Sequence, residues 1–240
     1  MTPDAHACWM SSPDLAYLRI AAKVGFSRVV LDIEHNPFES GARADFVAGA
    51  QALGVRVYAK IEAPEVVWVQ RAVDLGVDGV IVPHVGPASV SGATLSAVKY
   101  PPRGTRSFAG GRSMGFGPPS DRAFADADAR TLCLPMIETP EALEDVDAIV
   151  AHPCVDGLFV GPFDLSLTSG RGSYTFADGD RDAIARVATA AAKAGKPWWM
   201  PAWSRAEQLF CDEHDVAVKV VAMDWQVIET GLRAAIADLD

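Results

Sequence analysis

One pattern recurs along the 240 residues: a short apolar run, then a segment with apolar residues at helical spacing, then in several cases a glycine that stops it. The apolar runs are residues 7–10, 27–33, 55–61, 78–82, 132–137, 155–160, 196–200 and 217–222. After the first, Ser11 or Ser12 can cap a helix with Pro13 and Asp14 in its first turn and Leu15, Leu18 and Ala22 on one face. Helical segments then follow at 43–53, 64–75, 89–99, 140–151, 181–194, from the Ser204 cap to about 213, and at 225–239. In the last of these Ile228, Leu232, Ala235, Ile236 and Leu239 share a face. Eight strands, each followed by a helix, are what a (β/α)8 TIM barrel requires. A doubly wound open sheet would carry a glycine-rich dinucleotide fingerprint after its first strand, and the sequence has none. The expected fold is therefore one α/β domain over residues 1–240, a (β/α)8 barrel without a linker or low-complexity segment.

Composition narrows the partners. The net charge of −10 and the absence of any Lys and Arg cluster argue against nucleic acid. No apolar run is long enough to span a bilayer, and the opening MTPDAHACWM lacks a secretory signature, so no membrane partner and a cytoplasmic location are expected. Cys8, Cys133, Cys154 and Cys211 are widely spaced without a CxxC pair, which suits reduced, buried thiols.

Two stretches resist the pattern, 100–120 (YPPRGTRSFAGGRSMGFGPPS) and the glycine-rich 167–179. Arg103, Arg106 and Arg112 in the first, within an acidic protein, argue for contact with an anion; a solvated surface loop is the alternative.

In a barrel of this kind reactive groups gather at the C-terminal ends of the strands. Those ends carry Asp32, Glu34 and His35, then Lys60 and Glu62, His84, Glu138, Asp164 and Asp224. A set this rich in carboxylate suits a hard divalent cation such as Mg²⁺ or Mn²⁺ better than zinc. Plainer roles exist for each: Glu62 as a solvated loop residue, His84 as a loop hydrogen-bonder, Asp164 as a helix cap. Glu138 and Asp164 stand out because they end consecutive strands of one strand-helix-strand unit, where a parallel connection brings them to one rim although they are 26 positions apart.

The segments LDIEH (31–35), YPPRGTR (100–106), IET (137–139) and VDGLFVGPFDLS (155–166) resemble the HpcH/HpaI aldolase family, metal-dependent lyases of 2-oxo acids that include 2-dehydro-3-deoxyglucarate aldolase. The resemblance is collinear from about residue 9 to the last helix, and GPxDLS with IET upstream is its most specific part. It implies a (β/α)8 barrel whose subunits exchange the last helix in homotrimers or homohexamers. It implies that Glu138 and Asp164 ligate Mg²⁺ or Mn²⁺, with Co²⁺ as a further option. His35 matches the family's base, with Asp32 beside it; Asp74 matches an acid that reaches a neighbouring subunit's histidine; the Phe163 backbone matches a contact to the 2-oxo acid. Of the loop arginines, Arg106 is the expected substrate contact. The implied chemistry is cleavage or formation of a 4-hydroxy-2-oxo acid from a 2-oxo acid and an aldehyde.

Three departures fall at the expected pocket. Lys60 stands where the family has a substrate-gripping arginine, which keeps the charge and loses the bidentate fork. Met136 replaces a substrate-touching glutamine, and WWMPAW (198–203) with AMDW (222–225) replaces smaller segments. The expectation is a more aromatic pocket favouring a different oxo acid or a bulkier, less hydroxylated aldehyde, with core packing as the alternative role for Trp198 and Trp199. Lys60 also opens a Schiff-base route, which would leave the two carboxylates unexplained. Other readings are a decarboxylating or CoA-ester lyase and a non-catalytic oxo-acid-binding barrel.

Overall fold

A computed structural model describes residues 5–36 and 40–237. Eight parallel strands close in sequential order into a barrel: β1 (His6–Met10), β2 (Arg28–Asp32), β3 (Arg56–Lys60), β4 (Gly79–Val82), β5 (Leu132–Ile137), β6 (Leu158–Val160), β7 (Trp198–Pro201) and β8 (Val218–Met223). β8 pairs with β1 through Ala7 and Val220, with a register shift between Ala7 and Cys8, and this pairing removes both sheet edges. The expected (β/α)8 barrel is the observed one.

The helices are α1 (Leu15–Lys23), α2 (Ser40–Ala52), α3 (Val66–Leu75), α4 (Ala88–Ser96), α5 (Asp121–Arg130), α6 (Pro140–Glu144), α7 (Val146–Ala151), α8 (Pro162–Thr168), α9 (Asp178–Ala194), α10 (Arg205–Glu213) and α11 (Asp224–Ala237). Local chemistry sets many boundaries. Asp14, rather than Ser11 or Ser12, caps α1 by accepting from Ala16 and Tyr17. Ser204 and Glu207 form a reciprocal capping box on α10.

Two helices were not foreseen. α5 follows the irregular 100–120 stretch, so the β4 to β5 connection holds α4, a loop and a second helix. Its sequence, DRAFADADAR, has little apolar content, but Ser120 caps it and Asp121 and Arg130 complement its dipole. α8 takes up the PFDLS segment, with Pro162 in its first turn. The expected 140–151 helix breaks at Asp145 into α6 and α7.

Strand alternation divides the core into two layers. Inside the barrel lie Val30, Tyr58, Leu134, Met136, Phe159 and Trp199; between barrel and helices lie Leu31, Val57, Cys133, Ile137, Val160 and Trp198. Trp199 therefore stacks edge-on against Tyr58 at 4.5 Å, whereas its neighbour Trp198 points outward and donates Nε1–H to the His214 carbonyl at 3.1 Å. An edge-to-face pair of this kind contributes about 1 kcal/mol beyond area burial. Both are core residues, so neither shapes a pocket. The four cysteines are free and buried, as expected.

α11 is the exception to this packing. Every described residue after Asp224 is exposed, including Ile228, Leu232 and Ile236 on the apolar face. Packing against its own barrel does not account for that face; Leu239, assigned to it from sequence, lies outside the described residues. Among the described residues no helix is long and apolar enough to cross a membrane.

Candidate active site

The C-terminal rim holds a cavity of about 710 Å³ lined by residues of seven strand ends or the loops after them. Asp32 closes β2 and does local work first: its Oδ1 accepts the backbone N–H groups of Glu34 at 3.1 Å and His35 at 3.2 Å. That turn fixes where the next two side chains leave the strand.

Glu34 is the hub of the resulting network. It accepts from Lys60 Nζ, lies 2.6 Å from His84 Nε2 through Oε1, and stands 3.6 Å from His35 Nε2. Burial would raise its carboxyl, but the bonds from Lys60 and His84, with the charges around it, hold it below the usual carboxylate range. Lys60 is buried at the end of β3 and also reaches His35 Nε2 at 3.2 Å. An amine engaged in this way by a carboxylate is not a free nucleophile, which counts against the Schiff-base route.

Glu138 follows β5 and is fully buried. Its Oε1 accepts the His84 backbone N–H at 2.5 Å, and Oε2 has no partner among the described residues. Burial pushes this carboxyl up to about 7, the nearby Asp164 charge pushes the same way, and the His84 and Lys60 groups oppose them. Thr168 Oγ1 lies 2.9 Å from the Glu138 main-chain carbonyl and 2.6 Å from that of Asp164, so one hydroxyl links the backbone at the two residues. Gly161 lets the chain pass this close: a β-carbon there would meet Glu138 Oε2 and the Met136 methyl at 2.7 Å.

An unpartnered oxygen on a buried carboxylate with a second carboxylate beside it fits a hard cation. Among the described residues no group of three or more His, Cys, Asp or Glu side chains converges as a complete cage. A cation held here would take two protein carboxylates and complete its shell with water or substrate, as Mg²⁺ commonly does.

His35, Asp32, Lys60, Met136, Phe163 and Asp164 all line or border this cavity. Three expected site residues do not: Glu138, fully buried against Gly161, and Arg106 and Asp74, which face elsewhere. The Arg106 guanidinium is buried, donates to the Val73 carbonyl at 3.1 Å and lies 4.6 Å over the Tyr100 ring, so within the chain it anchors the loop to α3 instead of reaching substrate. Asp74, 42% exposed at the end of α3, faces Arg106 at 3.9 Å and not its own cavity. Burial raises its carboxyl, and Arg106 offsets part of that. Arg103 is likewise committed, to Asp156 and the Pro153 carbonyl. Glu62 is not a solvated residue either: it is paired with Arg43 and largely buried. Asp224 turns from the cavity to accept from Ser11 N at 2.8 Å, joining α11 to β1.

Glu34, His84 and Gly161 were passed over as site residues. The signal for Glu34 was its place between Asp32 and His35 at a strand end, and that for His84 its place just after β4; the φ of 49° at His84 is visible only in the structure.

The family profile described as HpcH/HpaI aldolase/citrate lyase matches residues 6–200. The chain belongs to this family. Similar relatives include the 2-dehydro-3,6-dideoxy-6-sulfogluconate aldolase of Pseudomonas putida, 35% identical over 68% of this chain and 64% of that protein. The match thus spans just under two thirds of that relative's length. The hydroxypyruvate/pyruvate aldolase of Rhizorhabdus wittichii is 31% identical over 80% of this chain and 76% of its own. Among solved structures, an HpcH/HpaI aldolase of Desulfitobacterium hafniense superposes with a TM-score of 0.90 over 99% of this chain and 93% of its own at 24% identity, which is a statement about the fold.

Proposed function

We propose that this HpcH/HpaI family member is a divalent-metal-dependent carbon-carbon lyase that cleaves or forms 4-hydroxy-2-oxo acids from a pyruvate-type 2-oxo acid and an aldehyde. The observation that carries the reading is the buried Glu138 carboxylate, with one oxygen unpartnered among the described residues, packed against Gly161 and close enough to feel the charge of Asp164, which lines the cavity. Glu138 and Asp164 would hold Mg²⁺ or Mn²⁺, with Co²⁺ a further option. Such a cation supplies Lewis acidity to a carbonyl oxygen. The aldolases named among the relatives support the same reaction class.

The chain's own groups supply the rest. His35, set by the Asp32 turn, is the base that takes the proton from the C4 hydroxyl in cleavage and returns it in synthesis. Lys60, buried beside it and held by Glu34, places positive charge next to the oxo acid. Met136 and the Phe163 backbone border the bound acid. Asp74, turned away from its own cavity, is available to a neighbouring subunit's histidine. The exposed apolar face of α11 supports a homotrimer or homohexamer that exchanges this helix. A soluble, cytoplasmic, single-domain enzyme fits these parts.

Exchange of the pyruvate C3 protons with deuterated solvent, followed by NMR with and without Mn²⁺, tests this. Metal-dependent exchange that Glu138→Ala abolishes is expected, with His35→Ala losing cleavage of a 4-hydroxy-2-oxo acid. Pyruvate that binds without exchanging under any divalent metal would mean an oxo-acid-binding barrel instead.

A further inference from the structure

The cavity rim is divided into two halves. β2, β3 and the β6 loop bring Asp32, His35, Lys60 and Asp164, whereas β7, β8 and β1 bring Pro201, Trp203, Met223 and Trp9. Because β7, β8 and β1 are neighbours in the closed order, these four groups form one continuous arc with no charged lining residue among them, whereas Met136 and Phe163 lie on the other side. Trp225, at the start of α11, extends the arc. Met136, on β5 between β3 and β6, brings one apolar side chain into the charged half.

The charge balance is equally uneven. Among the described residues lining the cavity Lys60 is the one Lys or Arg, and Glu34 holds its ammonium. Arg106 is bound at Val73 and Tyr100, so it offers no guanidinium to the rim. A substrate with one anionic end can place that end at the charged half. A second carboxylate, on the aldehyde, would face the aromatic arc with no cation there and lose its hydration unrepaid. A polyhydroxylated chain would find Ser11 and Gln226 as the polar side chains on this side of the rim, too few for a hydroxyl at every carbon.

The geometry points to an uncharged, apolar aldehyde, aromatic or branched aliphatic, as the acceptor of this site, seated on Trp203, Trp9 and Met223. This rests on the carbon-carbon lyase reading. In the synthetic direction C3 of the 2-oxo acid loses a proton and bonds to the aldehyde carbonyl carbon. The aldehyde oxygen gains a proton and becomes the C4 hydroxyl, so atoms balance without an oxidant or reductant. Indole faces give an apolar ring its contact area, and a missing counter-ion selects against carboxylated competitors.

The test compares kcat/KM for pyruvate condensation with benzaldehyde, isovaleraldehyde, glycolaldehyde and succinic semialdehyde, alongside pyruvate C3 proton exchange without aldehyde. Benzaldehyde and isovaleraldehyde are expected to exceed the other two by at least about tenfold, which is about 1.4 kcal/mol of discrimination. Trp203→Ala should bring that ratio close to one, and Trp203→Phe should keep most of it. Met136→Gln, which adds an amide to the cavity lining, should shift preference toward glycolaldehyde, and it stands in if Trp203→Ala does not fold. Exchange with a preference for glycolaldehyde or succinic semialdehyde overturns the apolar acceptor and leaves the lyase reading intact. Absence of exchange overturns both.

Discussion

His84 donates its backbone N–H to Glu138 Oε1 at 2.5 Å, and the other oxygen of that carboxylate is left without a partner among the described residues. The His84 ring continues outward to Glu34, so one residue with φ of 49° connects the buried carboxylate to the Lys60 ion pair. His84→Asn tolerates that backbone conformation but cannot span to Glu34. Its Mn²⁺ affinity, measured by calorimetry, should fall by about tenfold, as for groups that orient a ligand, whereas Glu138→Ala should lose binding altogether.

Glu34→Gln is expected to be more damaging than its distance from the carbonyl chemistry suggests. The amide leaves the buried Lys60 ammonium without a counter-charge, which costs about 3 kcal/mol. A lowered Tm together with a reduced kcat at unchanged metal affinity is the expected pair of results. Wild-type stability in this variant would show that Glu34 is not the hub.

Cation binding should depend on pH through Glu138. Its carboxyl is raised to about 7, chiefly by burial, and a cation requires it ionised. Mn²⁺ affinity should therefore be about tenfold weaker at pH 6 than at pH 8. The stability of the metal-free protein moves the other way. A carboxyl raised by folding contributes stability below its ordinary range near 4.5 and loses it as pH rises through about 7. Metal-free Tm should fall across that window, and Glu138→Gln should flatten the fall; affinity that is constant from pH 6 to 8 would contradict the burial argument.

The barrel was readable because the strands are largely apolar on both faces and most helices between them carry an apolar stripe, so periodicity gave the order of those elements. α5 escaped because its low apolar content hides it from that signal, and its cap and terminal charges decide it instead. Glu138, Asp164, Asp32, His35 and Lys60 were legible as strand-end residues. Arg106 sits away from the chain's own cavity for a physical reason: an arginine in a glycine-rich loop resembles an anion ligand, yet the same guanidinium can satisfy a buried carbonyl and a tyrosine face. The tryptophans divide by strand parity and loop position, which sent Trp198 and Trp199 to the core and left Trp203 at the cavity.

Gly161→Ala should couple stability to metal binding. The added β-carbon would lie 2.7 Å from Glu138 Oε2 and from the Met136 methyl, and 2.8 Å from Glu138 Cβ. The carboxylate must shift, at about 2 kcal/mol as for other overpacked sites. Both a lowered Tm in EDTA and a loss of Mn²⁺ affinity are expected. Either one unchanged would mean that the carboxylate has room the packing does not suggest.

Arg106→Lys separates a loop anchor from a substrate ligand. Lysine keeps the charge but cannot both lie flat over Tyr100 and reach the Val73 carbonyl, so the 100–120 loop should loosen from α3. Loss of a charged hydrogen bond and a ring contact predicts about 2 kcal/mol of destabilisation. Because the guanidinium faces Val73, Tyr100 and Asp74 and does not line the cavity, KM for pyruvate in the exchange reaction should stay within about twofold of wild type. A tenfold rise in KM at unchanged Tm would instead return Arg106 to the substrate, reached across a subunit boundary.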